Sequence, residues 1–322
     1  MKFRKLGRTG IEVSEIGYGA WGIGGKQWLG GEDDDSLDAL RRAIDRGVNF
    51  IDTALAYGEG HSEELVGKVV REAPGKVWVA TKIPPKNQLW PARPGIAIDE
   101  VFPYDYAIEC TEQSLRNLKM DTVDLQQFHV WNPEWIGQDE WRRAIEDLKK
   151  SGKVRWFGIS INDHQPDSAL ELIKTGMIDT VQVIYNVFDQ TPEKNLFPLC
   201  QQENIGVLAR VPLDEGALTG NMSRDTTFQE GDFRAYYFRG DNLKLAIQHV
   251  AALQNDLGSQ AETLAELALR FVLSAPAVST VIPGMRRKAT VDSSTAVSNR
   301  GPLSADMMKI MRRHAWDKNF YS

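Results

Sequence analysis

The chain has 322 residues, 42% hydrophobic and 25% charged, with a formal net charge of −6 and a sequence pI near 5.5. That balance suits a soluble globular protein with a large core, and it disfavours a nucleic-acid backbone or an anionic membrane as the main partner. No stretch reaches the roughly 18 apolar residues of a membrane span, and the basic start from Lys2 to Arg8 is followed by no apolar run of signal-peptide type. Cys110 and Cys200 stand far apart in no metal or redox spacing, and read as small buried residues of a protein kept in a reducing cytoplasm.

Along the chain, Phe3 to Val13 holds Arg8-Thr9-Gly10 between short alternating segments, which predicts a β-hairpin able to plug a barrel floor. Ile16 to Ala20 is the first strand candidate. After Asp33-Asp34-Asp35, carboxylates that complement a helix N-terminus, Leu37, Leu40 and Ile44 recur at helix spacing until Gly47. Val48 to Ile51 and Val77 to Thr81 follow as strands. Ile108, Thr111, Leu115 and Leu118 then line a helix face ahead of the strand Val123 to Phe128. Trp141, Ile145 and Leu148 line another, stopped by Gly152 before the strand Val154 to Ser160. Thr180 to Tyr185, Gly206 to Val211 and Val278 to Pro283 complete the strands. Two helices, Asn242 to Leu257 and Thr263 to Ser274, stand before the last of these, and Ser304 to His314 is an extra closing helix.

Eight strand candidates alternating with helices, and no linker between halves, predict one α/β domain over 1–322, a closed (β/α)8 TIM barrel. A doubly wound open sheet is the alternative. Its glycine-rich phosphate turn is poorly matched by Gly17-Tyr18-Gly19-Ala20-Trp21-Gly22, which leads into no helix signal. Three long connections leave the C-terminal ends of strands, where barrel enzymes keep their chemistry. Ile83 to Tyr104 carries Trp90 among prolines, Trp131 to Trp135 follows His129, and Leu213 to Asp241 carries Phe233, Tyr236, Tyr237 and Phe238. Together these aromatics favour a pocket with apolar walls.

Asp52, Lys82 and His129 each close one of three consecutive strand candidates, and Tyr57 stands five residues beyond Asp52. In neighbouring parallel strands about 4.8 Å apart, a carboxylate, an ammonium and an imidazole would project from one sheet edge with a phenol folded over them. Taken singly, each has an ordinary structural explanation; the joint arrangement does not. A phenol is a poor acid near its usual pKa of about 10, and an adjacent ammonium is expected to lower that value. Asp52 is the obvious partner for a buried Lys82, and His129 is placed to hydrogen-bond a substrate carbonyl. None of these groups supplies a hydride, so a nicotinamide cofactor is implied. The five histidines lie apart in no metal-ligand spacing, and no metal is expected.

These residues stand in a longer pattern: Leu6-Gly7-Arg8-Thr9-Gly10, Gly47 to Ala54 with Tyr57-Gly58, Ser62-Glu63, Thr81-Lys82, Asp124-Leu125 with His129, Gly152-Lys153-Val154-Arg155, Gly158-Ile159-Ser160, Gln182, Pro212-Leu213 with Gly216 and Leu218-Thr219-Gly220, and Val281-Ile282-Pro283-Gly284. Over nearly its whole length the chain resembles the aldo-keto reductase superfamily, most of all the bacterial branch related to potassium-channel β-subunits and inositol-type dehydrogenases. The resemblance implies an NADP(H)-dependent reductase of aldehydes or ketones, with Tyr57 as acid, Lys82 and Asp52 tuning it and His129 orienting the substrate. It also implies that Ser160 and Gln182 hold the nicotinamide carboxamide. Pro212, Leu213, Gly216, Leu218 and Gly220 would run along the diphosphate, and Gly284 and Arg286 would lie near the adenosine phosphate. Trp21 is expected beside both cofactor and substrate, and Trp90 and Trp131 beside the substrate.

Arg286-Arg287-Lys288 suits a 2′-phosphate, because guanidinium groups bind phosphate bidentately and cations at a helix start oppose its dipole. Some positions depart from the pattern. Asn162 stands one residue late after Ser160, and still reaches the carboxamide if the strand end bulges. Arg210 occupies a place where relatives stack an aromatic ring on the nicotinamide; it would stack through its guanidinium, bind diphosphate, or leave stacking to Tyr185. Asn221 replaces a frequent lysine, and Ser293 and Ser294 replace polar adenine contacts. Polyol or sugar oxidation, suited by Asn132, Asn162 and Asp214, is an alternative, as is a nicotinamide-sensing regulatory subunit. Substrate and oligomeric state are left open.

Overall fold

The computed structural model describes residues 1–258 and 260–321. Two short strands, β1 (Phe3–Lys5) and β2 (Glu12–Ser14), pair antiparallel around a turn that reverses at Gly10 with φ 73°. Eight strands follow in chain order: β3 (Tyr18–Gly19), β4 (Phe50–Asp52), β5 (Trp78–Ile83), β6 (Val123–Phe128), β7 (Val154–Ser160), β8 (Thr180–Ile184), β9 (Gly206–Arg210) and β10 (Val278–Val281). Each pairs in parallel with its sequence neighbour, and parallel bridges Ile16–Val281 and Gly19–Gly284 join the two ends into a barrel. Helices alternate with strands around the outside, as the (β/α)8 expectation requires.

The strand alternation explains what the barrel places where. Side chains at i and i+2 share a face, about 6–7 Å apart along the strand. Phe50, Ala80, Leu125 and Leu208 form an apolar interior layer with Ile282, and the hairpin residues Leu6 and Val13 pack on it from the N-terminal end. The floor is therefore plugged, as the sequence predicts. Two residues further along the same strands stand Asp52, Lys82, Gln127 and Arg210, so the next interior layer is polar. The opposite parity faces the helices: Thr81 Oγ1 donates to Glu63 of the helix His61–Glu72, and Gln126 donates to Thr111 of the helix Tyr104–Leu118.

Several boundaries move from the sequence expectation. β5 runs through Lys82 to Ile83, so the lysine is an interior strand residue. The first strand shrinks to Tyr18–Gly19, and Tyr185 falls just outside β8. The long connections carry local structure of their own: Ile98–Val101, Pro133–Gly137, Asp214–Thr219 and Phe233–Tyr237 are short helical turns. The two helices before the last strand span Asn242–Asn255 and Leu264–Leu273, and the closing helix spans Ala305–Arg312. Both cysteines are buried and free, and among the described residues no helix is long and apolar enough to cross a membrane.

Gly67 marks a tight crossing between neighbouring helices of the outer layer. A Cβ there would stand 2.4 Å from the Leu118 carbonyl oxygen, at the end of the neighbouring helix. Gly67→Ala is expected to cost about 1–3 kcal/mol by overpacking, read as a lower urea midpoint; an unchanged midpoint would contradict this packing.

Candidate active site

The polar interior layer is built around one ammonium. Lys82 Nζ donates to Asp52 Oδ1 at 2.6 Å, to the Thr53 carbonyl at 2.8 Å and to Tyr57 Oη at 3.2 Å. Lys82 is fully buried and Asp52 nearly so. The second carboxylate oxygen of Asp52 accepts from the Gln182 amide at 2.8 Å and the Gln127 amide at 3.3 Å. Four strands thus contribute to a single network: Lys82 stands opposite Gln127 on β6, whereas Asp52 stands opposite Ala80, two residues earlier on β5, a stagger that the long lysine side chain spans.

Tyr57 is delivered by the turn after β4. Ser62 Oγ donates to the Ala20 carbonyl and shares a hydrogen bond with Thr53 Oγ1, tying the following helix to β3 and β4. Gly58, at φ 67°, lets the 20–24 segment press against this turn: a Cβ would stand 2.0 Å from the Gly24 carbonyl oxygen. His129 follows β6 directly, its amide bonded to the Ile83 carbonyl. Its ring meets Tyr57 edge-on at 5.7 Å and Trp90 at 4.4 Å between centroids, and its Nδ1 is enclosed without a partner among the described residues.

Burial sets the direction of most protonation equilibria here. For Tyr57, burial is the largest influence and raises the phenol pKa above its ordinary value. Lys82 pulls the other way, and Asp52 adds to the rise. The expected lowering by the ammonium is therefore present but outweighed, and the phenol stays protonated at neutral pH. For Lys82, burial acts against the charge, yet Asp52 and Tyr57 prevail and hold the ammonium above its usual range. His129 lies well below the ordinary imidazole value because of burial and then the cations Lys82 and Arg210. It is a neutral ring.

Above this network opens a cleft of about 1150 Å³. Tyr57, His129, Trp21 and Trp90 line one end, with Ser160 and Gln182 on its floor. Arg210, Pro212, Leu213 and Gly216 form a side wall, and Gly284 and Arg286 also line the cleft, Arg286 beside Gly22. Asn162 also lines the cleft, but its amide is engaged by the Ala92 backbone, at 3.2 and 3.3 Å, and by Gln165 at 3.1 Å. It braces the 84–103 loop. Arg210 Nη2 donates to the Asp163 carboxylate at 2.7 Å and to the Ile161 carbonyl at 3.0 Å, while its Nε has no partner among the described residues.

Four of the expected contacts lie elsewhere. Tyr185 has the parity that faces outward from β8; it is fully buried against Phe197 and Phe271 and donates to Glu193, so it cannot stack on a ligand in the cleft. Trp131 is fully buried edge-on to Trp135 and Trp141, bracing the barrel shell. Leu218 is buried in the same shell, and Gly220 abuts Leu264. Asn132 and Asp214 are also spent on structure, Asn132 on Arg93 and Glu134 and Asp214 on a buried ion pair with Lys318 at 2.7 Å. Of the basic cluster, Lys288 pairs with Asp38 outside the cleft, whereas Arg287 lines it.

Other contributors were not singled out from the sequence. Gln127 stands beside Gln126 and after Asp124 in a strand of mixed polarity, and its place two residues after Leu125 is the signal that it faces the interior. The 21–32 segment crosses to the 228–238 segment: the Phe233 amide donates to the Gln27 carbonyl at 2.7 Å, the Leu29 amide to Asp232 at 3.2 Å, and Trp21 meets Phe233 at 4.9 Å. Arg234 stacks over Trp28 near Arg286, whose guanidinium donates to the Leu29 carbonyl at 2.9 Å. Glu215 and Tyr321 complete the wall beside Arg210.

Known proteins share this architecture. The chain is 31% identical over 324 residues to aldo-keto reductase YhdN of Bacillus subtilis, covering 96% of this chain and 92% of the relative. It is 29% identical to the NADH-specific methylglyoxal reductase of Escherichia coli, covering 95% and 96% respectively. The solved structure of the glycerol dehydrogenase AKR11B4 from Gluconobacter oxydans superposes with a TM-score of 0.78 at 30% identity, covering 97% of this chain and 94% of that one. Residues 15–315 match the sequence model of the Aldo/keto reductase family, and by that match and these relatives the chain belongs to the family and is related to its oxidoreductases.

Proposed function

We propose that residues 1–322 act as one unit that reduces an aldehyde or ketone to an alcohol with a nicotinamide dinucleotide, NADPH by preference. The observation that carries this reading is the Tyr57 hydroxyl held 3.2 Å from a buried ammonium at the base of a large cleft. The cleft suits a dinucleotide. Its volume exceeds that of an ordinary small-ligand site, Gly216 adopts φ 100° in its wall, and Arg234, Arg286 and Arg287 gather in its lining. A bound nicotinamide would supply the hydride.

The protein's own groups do the rest. Tyr57 donates its proton to the carbonyl oxygen as negative charge develops there, and Lys82 stabilises the phenolate left behind. Asp52, fixed by Gln127 and Gln182, keeps Lys82 charged and aimed. Neutral His129 donates one hydrogen bond to the same oxygen, while Trp21 and Trp90 flank the substrate and exclude water. Run in reverse, the same groups accept a proton from an alcohol. The Gluconobacter relative, described as a glycerol dehydrogenase, supports that second reading. The name of the Escherichia coli relative shows that NADH serves some members, so cofactor choice is assigned to the Arg234–Arg286–Arg287 group. A reducing cytoplasm and small-molecule partners fit this activity.

Tyr57→Phe is expected to lower kcat by at least about 100-fold while leaving the dissociation constant of NADPH within about threefold; a variant with near-native turnover would refute the acid assignment. Because Tyr57 is protonated below its raised pKa and His129 is neutral throughout, kcat for carbonyl reduction at saturation should stay level from about pH 6 to about pH 9. A fall with a midpoint below about pH 8 would contradict these protonation states. Arg286→Ala should weaken NADPH by about tenfold or more and NADH by far less, as measured by fluorescence titration. Equal losses would remove the 2′-phosphate role.

A further inference from the structure

Asp163 and Glu215 line the side wall of the cleft, Asp214 precedes Glu215 in the chain without lining it, and the partners of these carboxylates differ. Asp163 is paired with Arg210 at 2.7 Å, and Asp214 with Lys318 at 2.7 Å. Glu215 has neither cation to itself. Its carboxylate accepts one hydrogen bond, from the Tyr321 hydroxyl at 2.6 Å. Both residues line the cleft, and only 6% of Glu215 is exposed. The backbone holds it there at some cost: Asp214 and Glu215 have φ of 50° and 53°, in the left-handed region that side chains other than glycine rarely adopt.

On the reading proposed above, a dinucleotide reaches from Tyr57 to Arg286. It must then carry its diphosphate along the wall formed by Leu213, Glu215 and Gly216. An ionised Glu215 there would oppose the phosphate charges in a poorly solvated place, where such repulsion is strong. We propose that Glu215 makes cofactor binding proton-linked: it is neutral while a dinucleotide occupies the cleft, so affinity falls as pH rises above neutrality.

The surroundings favour this. Burial is the largest influence on Glu215 and lifts its pKa to about 7; the Tyr321 hydroxyl pulls downward, Asp214 adds to the rise, Arg210 opposes it and Asp163 supports it. Tyr237, from the helix at 233–237, also faces Glu215 and stays protonated well above neutral pH. A carboxyl that titrates near neutrality alone, and higher beside phosphate, takes up a proton on binding. Below the first pKa the affinity is level. Above it, the affinity drops by up to about tenfold per pH unit until the second pKa is reached.

The test is the dissociation constant of NADPH for the intact protein, followed by tryptophan fluorescence from about pH 7 to about pH 9, above the range in which a phosphate monoester titrates near pH 6. Wild type should weaken by at least about tenfold over this span, with net proton uptake seen by calorimetry in two buffers. Glu215→Gln should bind tightly and evenly throughout. Tyr321→Phe, which removes the hydrogen bond to the ionised form, should keep the fall but shift its midpoint to higher pH. A level wild-type profile, or an equal fall in Glu215→Gln, would overturn the proposal while leaving the cofactor reading in place. Failure to bind NADPH or NADH at any pH would overturn both.

Discussion

The buried contact between Lys82 and Asp52 is the constraint around which the rest is arranged. Placing an ammonium and a carboxylate out of water costs several kcal/mol per ion after relaxation, and a pair of this kind seldom adds net stability. Here the cost is offset by unusually complete coordination. Lys82 has three acceptors, and Asp52 has three donors from three other strands. An apolar pair of the same size would serve the fold as well. The pair is better understood as holding a positive charge beneath the Tyr57 hydroxyl, with all its other hydrogen bonds already used.

That charge also shapes its neighbours. Burial alone would raise the phenol so far that proton transfer is hindered; the ammonium limits the rise and waits for the phenolate. Burial first, and then the positive fields of Lys82 and Arg210, keep His129 neutral, so the ring can donate through one nitrogen without competing as an acid. Around this centre, the outer polar contacts hold position. Ser62 and Glu63 fasten one helix to β3, β4 and β5, and Asn162 ties the loop bearing Trp90 to the end of β7. The side wall is different in kind, because the backbone beside it is strained at Asp214 and Glu215, and the Glu215 carboxyl is held by the Tyr321 hydroxyl and not by a cation of its own.

Much of this was legible in the chain. Short β-branched runs alternating with helical spacing specify the barrel, and chemically distinctive residues at the ends of three such runs mark the centre. What was not legible depends on parity and on long-range pairing. A shift of one residue in a strand end decides whether Tyr185 faces the ligand or the helices, and no propensity argument fixes that boundary. Trp131 and Trp90 are both loop aromatics after strands, yet one is packed into the shell by Trp135 and Trp141 while the other stands at the mouth. Gln127 is one of three polar residues in its strand, and its role is intelligible only once Asp52 and Gln182 are known to be its neighbours. The net direction of the Tyr57 pKa likewise required its burial, which no sequence motif reports.

The central claim is that the ammonium lowers the cost of ionising Tyr57. It is tested most directly by the ionisation of that phenol, followed by NMR of tyrosine labelled at Cζ, in wild type and in Asp52→Asn/Lys82→Met. Removing both charges leaves no unpaired ion, so the barrel is retained and only the local field changes. Tyr57 should titrate at higher pH in the double variant than in wild type. A Tyr57 midpoint that is unchanged, or lower, would contradict the account.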